Sequence, residues 1–340
     1  MLSGEAAFYK IVKQFYEELN LFKDAFSLKS LILPGAIFVV LLILPPIIPR
    51  FYTYILAVIF VTALVAMSLN MVVGHGGLFQ FHHGAFYGVG AYTFALMLTK
   101  TSLPIWACFV AGPIMAALVG LLIGAFCVRL TRLYFGMLQI SLGSLIWAIA
   151  FRWYSLTGGD DGMHGIPMPP IISSSKGAYY FALIILAICM IVIYLIFKSP
   201  FGATLQAIRD NPDRCEAIGI NVRRHQLIAI VIATFFAGIA GVLFVVVEGS
   251  VFPDLLFWVF SLEIFIMCLL GGWFTFAGPI LGAAIMVSLR TFVGIYTEYW
   301  TLILGIILIL LIFFLPEGVW GYVLEKCDSR PKEAIEKGSK

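Results

Sequence analysis

The chain has 340 residues, of which 62% are hydrophobic and 11% charged, and its mean hydropathy is +1.04. A soluble domain carries about 25% charged residues, so a soluble globular fold is excluded. The apolar segments are continuous rather than alternating, which excludes a β-barrel, and the net charge of +3 comes from basic residues flanking those segments rather than from a nucleic-acid-binding patch. The composition is that of an all-α polytopic membrane protein.

Met1 to Ser30 lacks the cationic start of a signal peptide and carries acids in its first turns. Phe8, Ile11, Val12, Phe15, Leu19 and Phe22 recur at helical spacing between Lys and Glu, the pattern of an amphipathic helix lying on a membrane surface; a polar tail is the alternative. About ten apolar segments then follow by the span-length rule: Leu31–Ile48, Tyr52–Val73, Leu78–Leu98, Leu103–Val128, Leu133–Phe151, Ala178–Phe197, Leu227–Val247, Phe257–Leu270, Ala277–Tyr296 and Trp300–Leu315. The third and eighth are interrupted or short. An even count puts both termini on one side. Arg129, Arg132, the insert at 198–224 and the Lys/Arg-containing tail after Pro316 fall on that same side, which the positive-inside rule makes the cytoplasm.

Two stretches are too rich in glycine for plain spans. Gly74–Gly90, GHGGLFQFHHGAFYGVG, holds six glycines and the histidines His75, His82 and His83, and Gly271–Gly282 reads GGWFTFAGPILG. Glycine at membrane depth permits either close helix packing or a broken helix beside a substrate path. Gly74, Gly76, Gly77, His82, Gly84, Gly88, Gly90, Gly271, Gly272 and Gly278 are therefore candidates for such a path. Neither run has the strand–loop–helix setting of a phosphate site.

The outward loop 153–177 contains TGGDDGMHGIPMPP, whose glycines and prolines mark an ordered turn region. Asp160, Asp161 and His164 match neither an EF-hand nor a zinc spacing. Of six cysteines, four lie inside apolar segments without paired or metal-ligand spacing and act as small apolar packers. No metal or cofactor is expected. Glu263, Glu248 and Asp254 are the acids nearest membrane depth on the outward side, and no ordered chain of acids crosses the spans.

The longest charged insert between two spans is Lys198–Arg224, KSPFGATLQAIRDNPDRCEAIGINVRR. Pro200 starts a helix, Asn211–Pro212 breaks it, and a second turn ends at Gly219, which can adopt the left-handed backbone. Two short helices with a sharp bend are either a solvated loop or a docking element for a soluble partner.

These motifs together resemble the LivM-type permeases of bacterial branched-chain amino-acid ABC transporters. Ser68–Leu98 is similar to that family's glycine-rich stretch LNxxxGxxGxxxxGxxAFxxxGAYxxAxL, and Thr157–Pro167 to its TGGxDGxxGIP. Ser199–Asn221 is similar to the coupling loop SPxGRAxxAIRxNExxAxxxGIN, Gly271–Ala284 to GGxGTxxGPxxGA, and FLPEGVWG at Phe314–Gly321 to its closing motif. Ala203, Pro212–Asp213, Phe274 and the pair His82–His83 depart from the pattern.

The resemblance implies a permease subunit that imports leucine, isoleucine or valine, or else urea or short amides. It also implies two ATP-hydrolysing subunits, a second related permease and a periplasmic substrate-binding protein, in a bacterial inner membrane with both termini cytoplasmic. It divides the chain into an N-terminal segment (1–30), a permease domain (31–316) and a tail (317–340). In the coupling loop 198–224 it points to Ala207, Arg209, Asp210, Asn211, Glu216, Ala217 and Gly219 as the ATPase contact, and outside to Asp160, Asp161 and Gly162 as the receptor contact. The chain has no GxxxxGK[ST] motif, so ATP hydrolysis falls to the partners and no enzymatic activity is expected. A transporter working alone would need an ion site or filter at depth, which the scarcity of membrane acids disfavours.

Overall fold

A computed structural model describes residues 28–130, 132–272, 275–296, 299, 302–303, 305–307, 309 and 318–320. Most of the N-terminal amphipathic segment, most of the tenth apolar segment, Phe274 and the tail beyond residue 320 lie outside the described residues. What is described is overwhelmingly helical, with no strand among the described residues beyond one isolated bridge, Met163 to Val251.

The chain divides into two units, Met1–Thr53 and Tyr54–Lys340. In the first, α1 spans Leu28–Ile43, and the chain turns through residues 44–49 before α2 begins at Arg50. The second unit is a helical bundle. It contains most of α2 (Arg50–Asn70), then α3 (Gly84–Lys100), α4 (Ile105–Cys127), α5 (Arg132–Arg152) and α6 (Ser175–Lys198). The short helices α7 (Pro200–Asp210) and α8 (Pro212–Ala217) follow, and then α9 (Val222–Glu248), α10 (Trp258–Gly271) and α11 (Gly278–Tyr296).

Among the described residues, six helical segments are long and apolar enough to cross a bilayer: Arg50–His75, Ile105–Cys127, Leu133–Arg152, Ser175–Lys198, Val222–Glu248 and Gly278–Tyr296. The third and eighth apolar segments of the sequence form shorter helices, α3 with 17 residues and α10 with 14.

Burial sorts these helices. Over an 18-residue stretch, the segment Arg50–His75 is 89% buried and α9 67%, whereas α5 and α6 reach 28% each. A helix apolar all round belongs in a core or against lipid, and here both occur. Ala63 to Asn70 of α2 are sealed inside, while Val110, Leu122 and Phe126 of α4 and Leu133, Met137 and Leu145 of α5 point outward.

The inner helices approach closely because glycines face one another. A side-chain carbon on Gly90 of α3 would lie 2.6 Å from the Gly238 Cα of α9, and one on Gly238 would meet Ala116 and Pro113 of α4. Small residues let backbones touch where lipid supplies no hydrophobic drive between helices.

Candidate functional site

The site is built where α2 ends and the polar hairpin begins. Past Asn70 the helix widens into a single π-turn, Met71–His75, and then stops. Such turns are rare and cluster at functional sites. Gly77 N–H donates to the Val73 carbonyl and Leu78 N–H to the Val72 carbonyl, both at 3.1 Å, so the helix end is closed by its own chain. Gly77 has φ +65°, and a β-carbon there would collide with the Arg209 side chain. Only glycine fits both demands.

From Gly77 the chain runs without regular helix to His83, where α3 starts. Along this stretch His82 packs its ring on Gly143, midway along α5, and Phe81 packs on Gly136. Gln139 and Trp147 lie one turn to either side of Gly143 and so share its stripe of α5. Gln80, His82 and Gln139 are each 1% exposed, and among the described residues the side-chain nitrogens and oxygens of all three lack a hydrogen-bond partner.

His83 is anchored instead. Its Nε2 lies 2.8 Å from Ser68 Oγ, which donates its own proton to the Val65 carbonyl at 2.7 Å. The hydroxyl has one proton, so the histidine must donate to it. The buried N-terminus of α3 is closed by α10: Gly84 N–H donates to Ser261 Oγ at 2.9 Å.

The hairpin docks on this break. Ser199 caps α7 with Pro200 at its first position, Asn211 caps α8 by accepting from Arg214 N–H at 3.0 Å, and Asn221 caps α9 by accepting from Arg224 N–H at 3.1 Å. Asp, Asn and Ser side chains suit this role because they accept from the first free amides of a helix. Gly219 closes α8: its N–H donates to the Glu216 carbonyl and Ile220 N–H to the Cys215 carbonyl, both at 3.0 Å, with φ +91° at Gly219. That paired pattern is a Schellman motif, which calls for glycine at this position.

Ile208, Cys215 and Val222 form the hairpin's own small core, with Ile220 beside it. On the bundle side, a β-carbon on Gly76 would lie 3.5 Å from Leu205, and Arg209 Nη1 donates to the Gly74 carbonyl at 2.9 Å. Asp210 steadies the same guanidinium at 3.0 Å. Beneath the hairpin, His75 stacks on Phe197, the penultimate residue of α6, at 3.7 Å and 17°. Phe197 meets Phe276 edge-on at 6.0 Å. The second glycine-rich stretch joins here too, because Asn70 Nδ2 donates to the Thr275 carbonyl at 3.2 Å.

The sequence-derived candidates therefore fall into four places. Gly74, Gly76 and Gly77 sit under the hairpin, and His82 faces α5. Gly84, Gly88 and Gly90 lie at contacts with Ser261, Leu256 and Gly238, while Gly271 and Gly278 pack on one another and Gly272 lies against Gly318. In the hairpin, Ala207, Asp210, Glu216, Ala217 and Gly219 are exposed, Asn211 is a cap, and Arg209 faces its own chain.

At the far end of the bundle, Asp160 and Asp161 are exposed on a 3-10 turn, 159–161. That loop is pinned by the Met163–Val251 bridge and by Lys100 Nζ, which donates to the Ser155 and Leu156 carbonyls at 2.7 and 2.9 Å. Gly162 sits where a β-carbon would strike the Val251 carbonyl. Sequence reasoning missed Ser68, Asn70, Phe197 and Gln139. A lone glutamine in an apolar segment was a visible signal for the last; the other three act through partners far along the chain.

A bundle of membrane-length helices, with a capped polar hairpin seated on the broken end of its most buried helix, defines a multi-pass membrane protein. The model of the family described as "Branched-chain amino acid transport system / permease component" matches residues 51–312, and the chain belongs to that family. It is 29% identical over 283 residues to the high-affinity branched-chain amino acid transport system permease protein LivM of Escherichia coli, covering 75% of this chain and 67% of that one. The LivM of Salmonella typhimurium is 27% identical over 323 residues, covering 87% and 76%. A shorter match, 30% over 80 residues, covers 24% of this chain and 25% of the guanosine ABC transporter permease protein NupQ of Bacillus subtilis. No solved structure matches the chain.

Proposed function

We propose that this chain is one of two related membrane subunits of an ABC importer that carries leucine, isoleucine or valine across a bacterial inner membrane. About ten spans place both termini in the cytoplasm, with residues 1–30 and 317–340 flanking the permease domain. Two ATP-hydrolysing subunits grip hairpins such as 198–224 through the exposed face bearing Ala207, Asp210, Glu216, Ala217 and Gly219. A periplasmic binding protein delivers substrate to the loop around Asp160, Asp161 and Gly162.

The observation that carries this is the seating of α7 on the π-turn of α2. A pull on the hairpin reaches Gly74 through the Arg209 side chain, and so reaches the most buried helix directly. Packed elements move as rigid bodies with a few discrete arrangements, so displacement of α7 shifts the segment 74–83 relative to α5. Gly74, Gly76, Gly77 and His82, with the unpartnered amides of Gln80 and Gln139, then line the stretch of path that opens and closes. Polar groups buried without a partner are costly unless solvent or solute meets them.

Reconstitution tests it. With two ATPase subunits, a second permease and the binding protein, L-leucine should enter proteoliposomes only with ATP, and omission of any one component should stop it. Uptake of urea or guanosine in place of leucine, or uptake without ATP, would overturn it.

A further inference from the structure

At the end of the bundle opposite the hairpin lies a cavity of about 740 Å³ between α2, α9, α10 and α11. Ile55, Val58, Phe244, Phe260 and Met286 contribute to its wall, which is mostly apolar. Four charged side chains line it: Glu248, Asp254, Glu263 and Arg290. Glu248 accepts a hydrogen bond from Tyr54 Oη at 2.6 Å, which holds that carboxylate at the cavity edge. Glu263 and Arg290 face each other at 3.6 Å, the glutamate 19% exposed and the arginine 60%. That distance exceeds the 2.7–2.9 Å of a closed charge-assisted hydrogen bond. A small mostly apolar pocket with a few convergent polar groups is the form of a small-molecule site.

We infer that this cavity is a binding site of the permease itself for an aliphatic α-amino acid, in which Glu263 takes the ammonium, Arg290 the carboxylate and the apolar wall the side chain. The inference rests on the permease assignment and adds a subsite to it. A zwitterion fits the charges better than the neutral alternatives do. Its two ends are a few ångströms apart, as Glu263 and Arg290 are, and a planar guanidinium matches the two oxygens of a carboxylate. The three carboxylates also give the lining an excess of negative charge, which favours the ammonium end. Urea and nucleosides carry neither charge, and for them burying these groups brings only desolvation.

The full chain in lipid nanodiscs, probed by saturation-transfer NMR, tests this. L-leucine should bind with its methyl protons most strongly saturated. 3-Methylbutylamine, which lacks the carboxylate, and 4-methylpentanoate, which lacks the ammonium, should each bind at least about tenfold more weakly, as should guanosine and urea. Glu263→Gln and Arg290→Gln should each weaken leucine by a similar factor.

The exchanged pair, Glu263→Arg with Arg290→Glu, separates recognition from scaffolding: it keeps an ion pair but reverses the charges offered to the ligand, so leucine binding should stay lost. Restoration of leucine binding by the exchange would show a structural pair and overturn the inference, as would unchanged binding in Glu263→Gln. Co-purification with the partner subunits confirms that each variant is folded. If the wild-type complex imports leucine while its permease shows no such binding, the subsite falls and the importer stands. If the complex imports no leucine at all, the importer falls.

Discussion

The Arg209 guanidinium and the Gly74 carbonyl meet at 2.9 Å across 135 residues of sequence, joining the polar hairpin to the turn where α2 loses its regular helix. A cation hydrogen-bonded to a backbone carbonyl is a firm link, because the acceptor cannot swing away as a side chain can. The hairpin is thus bound to the core of the bundle rather than only to the ends of the two helices that lead into it.

Arg209→Ala should leave the chain inserted but loosen that link. A hydrogen bond to a charged group contributes about 1.5–3 kcal/mol, so the docked hairpin should be depleted about tenfold or more. The expected outcome is ATP hydrolysis largely kept and leucine uptake reduced by a similar factor. Arg209→Lys should recover little, since a lysine cannot hold Asp210 and Gly74 with one planar group. Equal ratios of uptake to hydrolysis in wild type and Arg209→Ala would refute the coupling.

Gly219→Val should disable the hairpin from within. With φ +91° and open space around its would-be side chain, the position is limited by backbone conformation alone. A β-branched residue held there costs on the order of 1–3 kcal/mol. Hydrolysis should become uncoupled from uptake while the protein remains inserted. Gly219→Asn should behave close to wild type, because asparagine tolerates the left-handed region.

Ser68 and His83 make a buried pair suited to a double-mutant cycle. Ser68→Ala strands a buried ring nitrogen and should cost about 1–3 kcal/mol, read as a lower midpoint of thermal unfolding in detergent. Removing both polar partners, Ser68→Ala with His83→Phe, should restore much of that stability. A double variant as unstable as the sum of the singles would show the pair to be uncoupled.

Gly90→Leu should separate α3 from α9. The site is closed by the Gly238 backbone rather than by a movable side chain, so overpacking of about 1–3 kcal/mol is expected, again as a lowered unfolding midpoint. Gly165→Leu, where nothing lies within 4 Å but φ is +63°, separates backbone strain from packing and should shift the midpoint less.

Asp210→Cys tests orientation. Its side chain is 67% exposed at the tip of α7, so a membrane-impermeant maleimide should label it in inverted vesicles and not in intact cells. Labelling from outside would place the hairpin on the wrong face for an ATPase.

Much of the local structure was legible in the chain. Pro200, Asn211–Pro212 and Gly219 bound the two hairpin helices where the backbone rules require, because caps, proline and left-handed glycine act over a few neighbouring residues. The apolar run Tyr52–Val73 was legible as a helix for the same reason, since length and composition are properties of the segment itself. Glycine was not legible in the same way. Gly77 and Gly90 look alike in sequence, yet one turns the backbone under Arg209 and the other lets α3 touch α9. Which of the two a glycine does depends on what stands opposite it.

Sequence alone settled that this chain is a stack of lipid-compatible helices broken by one amphoteric, twice-kinked insert, because hydropathy and turn chemistry are local quantities. Only the folded bundle decided that the insert lands on the end of α2, that His82 faces α5, and that Glu263 and Arg290 look into one cavity. Those relations join residues tens to hundreds of positions apart, and such distances close only when the helices pack.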